Sequence, residues 1–231
     1  MVDSMGIIMS VTKQQKCLWM LLLFFLCLPL WAQERFVGLV DIKDVDPSIQ
    51  VELMYASEDN FVGENMYGDI SQAYMLPHFA QKLKRAQTRL KSDWGEEYSL
   101  LICDAARPLS VQRRMYNAVK GTPNQIYVAS PNNGGGRHNY GAAVDVTIVN
   151  TATGERVDMG SEVDHFGIRS HTDNEKGLLQ KGLISKEAYN NRRYLTNLLN
   201  SEGLRNIRRE WWHFEERMSI KEVRTKYRLI E

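Results

Sequence analysis

Two stretches of this chain carry residues that can do chemistry together. The first is Gly134-Gly135-Gly136-Arg137-His138-Asn139-Tyr140-Gly141-Ala142-Ala143-Val144-Asp145-Val146-Thr147-Ile148. From Ala142 to Val149 it is apolar or small except at Asp145 and Thr147, the pattern of a buried strand. A carboxylate in such a strand needs a partner, because burying an unpaired charge is costly. A metal ion is one partner, with His138 upstream as a second ligand; an arginine behind a glycine loop is the other.

The second stretch is Glu210-Trp211-Trp212-His213-Phe214. A catalytic zinc site keeps three nitrogen, sulfur or carboxylate ligands and leaves a further position for water. His138, Asp145 and His213 would supply that set, and two neutral imidazoles with one carboxylate leave the centre net positive. Such a centre lowers the pKa of a bound water towards about 7 and polarises a carbonyl. Glu210 then stands three residues before the last ligand, available as a general base. The competing reading is an amphipathic strand whose two tryptophans pack in the core. In a plain strand Glu210 and His213 would point to opposite faces, since the side-chain period is two. A shared site therefore predicts a bulge or bend at Trp211-Trp212.

The elements that must hold these residues are legible in outline. Pro77 opens a helix whose apolar face is Leu76, Phe79, Ala80, Leu83, Ala86 and Leu90, with Lys82, Lys84, Arg85, Arg89 and Lys91 on the rest, ending at Gly95. Tyr98–Cys103 reads as a strand, and Asp104-Ala105-Ala106-Arg107-Pro108 closes it. Pro108 starts a helix over 109–116, which fixes Arg107 at a strand-to-helix junction. Ser185 caps a long helix with Glu187 in its first turn and Gly203 at its end. Residues 205–215 are extended, 219–228 form a short terminal helix, and 34–70 are an extended, loop-rich entry.

Composition bounds the rest. The chain has 231 residues, 43% hydrophobic and 25% charged, with formal net charge +1. That is ordinary globular composition and gives no support for nucleic-acid or polybasic membrane binding. Lys13 and Lys16 precede the apolar run Leu18–Leu30, followed by Trp31-Ala32-Gln33. The run is too short for a stable membrane span and reads as a secretory signal peptide over 1–32, with a mature domain over 33–231. Leu30 is large for the position three before the cut, and Cys27 follows bulky Leu26, against a lipid anchor. Cleavage leaves Cys103 as the one cysteine, in a strand pattern that predicts a buried, inert thiol.

Arg137-His138-Asn139-Tyr140-Gly141-Ala142-Ala143-Val144-Asp145 together with Glu210-Trp211-Trp212-His213 resembles the zinc-dependent D-alanyl-D-alanine dipeptidases of the VanX type. The resemblance extends through 55–63, Asp104–Pro108, and Asp158-Met159-Gly160 with Asp164. It implies one zinc ion per chain on His138, Asp145 and His213, with Glu210 as catalytic base. Arg107 would stabilise the tetrahedral oxyanion, and Asp164 would meet the free amine of a small D,D-dipeptide. The implied fold is α+β, one domain, with an antiparallel sheet carrying the metal ligands and helices packed against it. The implied role is hydrolysis of D-Ala-D-Ala in cell-wall turnover, in the periplasm or outside the cell. Gly136 stands where such proteins often have serine, and Ala106 where a tyrosine often precedes the arginine. A D,D-carboxypeptidase and a non-catalytic, zinc-containing wall-binding module are the alternatives.

Overall fold

Asp145 and His213 sit directly opposite one another on neighbouring strands, and the architecture follows from what places them there. The computed structural model describes residues 35–231; the signal-peptide reading of 1–32, with Cys17 and Cys27, lies outside them. Residues 38–231 form one unit.

A short strand β1 (Val40–Asp41) leads into a single helical turn α1 (Ile42–Val45), capped by Asp41 accepting from the Lys43 amide at 3.1 Å. Next come β2 (Gln50–Val51) and β3 (Tyr74–Met75), the latter antiparallel to β1. Helix α2 (Pro77–Trp94) buries Phe79, Ala80, Leu83, Ala86 and Leu90, the face that the spacing predicts. Proline occupies its first turn, where the missing amide hydrogen is not needed, and Gly95 ends it at φ 119°. Phe79, Leu83 and Leu90 are fully buried, worth about 1.5–3 kcal/mol each. Strand β4 (Tyr98–Asp104) and helix α3 (Leu109–Val119) follow, then β5 (Ala143–Asn150). After α4 (Glu175–Gln180) comes α5 (Lys186–Ser201), whose Ser185 cap accepts from the Ala188 amide at 2.8 Å. Strands β6 (Leu204–Ile207) and β7 (Glu210–Glu216) form a hairpin, and α6 (Ile220–Lys226) closes the chain.

The main sheet has the order β2-β4-β5-β7-β6. Its four long strands are antiparallel and carry Asp145 and His213, as expected for an α+β fold. One edge strand, β2, carries none of these residues and runs parallel to β4. A parallel pair requires a long crossover, and residues 52–97, with α2 inside them, provide it. Helices α2 and α5 pack on each other and against β4 and β6 respectively. Among the described residues no helix is long and apolar enough to cross a membrane. Cys103 is buried, and burial pushes its thiol up to about 12, an inert residue.

Candidate metal centre

His138 lies in one 3-10 turn, Arg137–Tyr140, set between two glycines. Gly141 adopts φ +65°, and a Cβ there would come within 2.9 Å of Leu39 and 3.3 Å of the Leu76 backbone nitrogen. Only glycine fits such a left-handed, crowded position. Asn139, fully buried, accepts from the Gly136 amide at 2.8 Å and donates to the Arg107 carbonyl at 2.8 Å. The Arg107 amide donates to the His138 carbonyl at 3.0 Å. The glycine loop and the strand-to-helix junction are thereby tied together, which brings Arg107 beside the histidine.

Three donor atoms converge here. His213 Nδ1 lies 3.1 Å from Asp145 Oδ1 and 3.1 Å from His138 Nε2, and His138 Nε2 lies 3.5 Å from Asp145 Oδ1. A tetrahedral zinc with bonds of about 2.0–2.1 Å has ligand-to-ligand edges of about 3.3 Å, so the triangle is the right size for one ion. The outer nitrogens show which tautomers the neutral rings would take. His138 Nδ1 meets the Ala105 carbonyl at 2.7 Å, an acceptor only, so Nδ1 donates. His213 Nε2 meets Glu215 Oε2 at 3.2 Å and donates likewise. With both imidazoles neutral, as metal ligands are, the inner nitrogens present lone pairs to each other, and a cation between them would relieve the repulsion. A fourth side of the site stays open to the cavity. Among the described residues, His138, Asp145 and His213 are the group that could hold a metal ion.

The charge balance points the same way. Burial would raise the Asp145 carboxyl, but His138 and His213 outweigh it and hold it well below the usual carboxylate range. Without a metal, burial opposes a charge on His213, but its bonds to Asp145 and Glu215 prevail and drive it up to about 10. The pocket demands positive charge, and a metal ion competes with that proton. Burial also acts on Glu215, where the bond from His213 and the neighbouring positive charges win and keep it ionised.

The bulge expected at Trp211-Trp212 is present. Pairing between β6 and β7 runs Asn206 to Phe214 and then jumps from Ile207 to Glu210, so residues 211–213 bow out of register. Glu210 consequently comes to the same side as His213, its Oε2 at 3.8 Å from Nδ1. Burial above all, and the nearby charges of Asp145 and Asp164, push its carboxyl up to about 8. Trp211 Nε1 donates to Ser161 Oγ at 2.9 Å, which pins the bulge to the loop that carries Asp164.

Arg107 is buried, with Nε donating to Asp104 Oδ2 at 3.0 Å, Nη2 on the same oxygen, and Nη1 donating to Gln112 Oε1 at 2.8 Å. Its guanidinium lies 5.1 Å over the Tyr55 ring, and Nη2 is 3.8 Å from Asp145 Oδ2. Asp164 is one of two non-glycine residues at positive φ among the described residues, at 60°. It accepts from the Tyr55 hydroxyl, and burial first, then the Asp145 charge, raise its carboxyl to about 7. His138, Asp145, His213, Glu210, Arg107 and Asp164 all line one cavity of about 160 Å³. Its outer wall is aromatic: Tyr127 stacks on Phe166 at 5.0 Å and Phe61 meets Phe166 at 4.9 Å.

Four residues around the site were not singled out by the sequence reading. Asp104, fully buried, clamps Arg107 and accepts from Tyr67; Tyr55 and Gln112 complete that cluster. The same argument that marks Asp145 marks Asp104, an acid ending an apolar strand with an arginine three residues on. Glu215 could have been found from the period-two rule, being two residues past His213 on one face. Tyr55 carries no comparable signal. At Gly136 a Cβ would stand 3.3 Å from the Ala129 Cβ, a tight contact that a serine or larger residue could make only if Ala129 gave way.

Two imidazoles and a carboxylate closing on one point, with a buried acid alongside and a cavity in front, are the arrangement that a metal-dependent peptidase would need. Residues 35–227 match the family of M15 peptidases described as D-ala-D-ala dipeptidase, and the chain belongs to that metallopeptidase family. It is similar to the D-alanyl-D-alanine dipeptidase of Escherichia coli K12, 32% identical over 181 residues, covering 77% of this chain and 83% of that one. The dipeptidases of the same name from Enterococcus faecalis and Enterococcus faecium are 27% and 26% identical over 197 residues, covering 77% of this chain and 91% of each.

Proposed function

We propose that this enzyme hydrolyses D-Ala-D-Ala to two molecules of D-alanine with one zinc ion held by His138, Asp145 and His213. The observation that carries the reading is the convergence of those three donor atoms, at 3.1–3.5 Å from one another, with Glu210 on the open side. Bound zinc supplies Lewis acidity and acidifies water. Glu210 takes the proton from the attacking water, and an environment that raises its carboxyl suits it to hold that proton and pass it to the leaving amine. Arg107, with hydrogens left over after Asp104 and Gln112 are served, donates to the oxygen that gains charge as the carbonyl becomes tetrahedral. Asp164 accepts from the ammonium group of the dipeptide, whose positive charge lowers the Asp164 pKa and ionises it.

The carboxypeptidase alternative is disfavoured by Asp164 in the cavity, since a longer peptide offers an amide there and leaves the carboxylate uncompensated. The wall-binding alternative leaves Glu210 and Arg107 without a purpose. The basic flank and apolar run at 13–30 support export, and with it a place in cell-wall turnover. The test is turnover of D-Ala-D-Ala after chelation and after zinc is restored, alongside N-acetyl-D-Ala-D-Ala. Activity should vanish and return, and the free dipeptide should be preferred by about 10- to 150-fold, the scale of a charged hydrogen bond. Asp164→Ala should abolish that preference. Equal wild-type rates on the two substrates would favour the carboxypeptidase.

A further inference from the structure

A dipeptide carries its ammonium at one end and its carboxylate at the other, and the two ends of the cavity differ in charge. Asp164, bonded to Tyr55 beneath Arg107, lies on the side of the donor triangle where Asp145 sits. Beyond His213 the order is different. The outer nitrogen of His213 meets Glu215 Oε2, and the same oxygen is 3.2 Å from Arg137 Nη1. The other oxygen of Glu215 is held by Arg205, through Nε at 3.0 Å and Nη2 at 2.9 Å. One carboxylate is therefore shared by two arginines and a histidine, and a positive charge is left over at this end.

Among the described residues the arginines and lysines lining the cavity are Arg107 and Arg137. Arg107 is already committed: two of its nitrogens hold one oxygen of Asp104, and its spare hydrogens are those given to the oxyanion. Arg137 is not: one nitrogen has the contested Glu215, and Nη2 donates to the Met218 carbonyl at 2.6 Å, a neutral partner. The wall beside it is Gly136 with Ala129, small residues that leave the guanidinium approachable from the cavity. Arg137 is mostly buried, with 14% of its side chain exposed, so an anion meeting it would leave water behind and bind strongly.

We propose that Arg137 binds the C-terminal carboxylate of the substrate and sets the enzyme's requirement for a free carboxyl end. This rests on the dipeptidase reading. Ammonium on Asp164 and carboxylate on Arg137 place the scissile bond across the donor triangle and orient it in one sense. The reversed dipeptide would set like charges against each other at both ends.

The experiment measures kcat/KM for D-Ala-D-Ala and for its C-terminal amide, a neutral probe of nearly the same size, with metal content determined in each protein. Wild type should prefer the acid by about 10-fold or more. Arg137→Gln should bring the ratio close to one, chiefly through KM for the acid, and Arg137→Lys should keep part of it. A ratio unchanged in Arg137→Gln with its metal retained overturns the proposal and makes Arg137 a scaffold for Glu215. Should Arg137→Gln fail to fold or lose its metal, Gly136→Asp is the second variant, placing a competing carboxylate on the same wall; the backbone there is extended, and the new Cβ would press on the Ala129 Cβ at 3.3 Å, so metal content is determined in this variant too. It too should lower the acid-to-amide ratio, and an unchanged ratio there overturns the proposal. No turnover of either peptide by metal-loaded wild type would instead overturn the dipeptidase reading, and this one with it.

Discussion

The two histidines of the centre are held in different ways. His138 gives its outer N–H to the backbone carbonyl of Ala105, whereas His213 gives its own to a side chain, the Glu215 carboxylate. A carbonyl has no charge to change and cannot be removed by substitution, so the His138 tautomer is fixed by the fold itself. The Glu215 arrangement depends on one residue and on the arginines that share it. In return the full negative charge would make His213 a more basic ligand than a carbonyl would. One histidine is secured by topology and the other by chemistry, and substitutions should tell them apart.

The largest effect should come from taking a ligand away. His213→Ala should leave the purified protein without stoichiometric metal and without turnover, whichever way the outer nitrogen was held, and His138→Ala should match it. Metal analysis finding a full equivalent in either variant would remove that histidine from the ligand set. Next in size is Glu210→Gln, which touches neither histidine's support. Metal should stay bound while kcat falls by about 100-fold or more, the usual scale of general acid–base loss. Loss of metal in that variant would make Glu210 a ligand.

The contrast itself is sharpened at Glu215. Glu215→Ala should weaken metal binding by about 10- to 100-fold, measured by competition with a chromogenic chelator. Glu215→Gln should fall between, because an amide oxygen still accepts from Nε2 but the charge is gone. An affinity unchanged in both would mean that the β5–β7 pairing alone orients His213.

How much of this was legible follows from the same division. Whatever depends on local pattern could be read: the α2 face from Phe79 to Leu90, the Ser185 cap, the apolar strand around Asp145, and even the bulge at Trp211-Trp212, because two groups facing one metal contradict a period of two. Whatever depends on distant pairing could not. The parallel register of β2 on β4 and the position of Tyr55 under Arg107 join segments about fifty residues apart, and nothing in Gln50-Val51 or Tyr55 alone announces it. The Ala105 carbonyl that orients His138 is invisible for a further reason: every residue has one.

That last point gives the smallest predicted effect. Ala105 is buried, at 2% exposure, and what it contributes to His138 is main-chain oxygen. Ala105→Gly removes a buried methyl, worth about 0.8 kcal/mol, and adds backbone freedom to the unfolded chain, worth about 0.5–1 kcal/mol. The melting temperature should fall by a few degrees, since about 1 kcal/mol moves a domain of this size by about 2–4 °C. Metal affinity should stay within about threefold of wild type, which is well under 1.36 kcal/mol. The opposite pattern, little change in melting but a loss of affinity like that of Glu215→Ala, would mean that the Ala105 side chain is what aims its carbonyl. His138 would then be held by a removable contact, as His213 is, and the distinction between the two ligands would disappear.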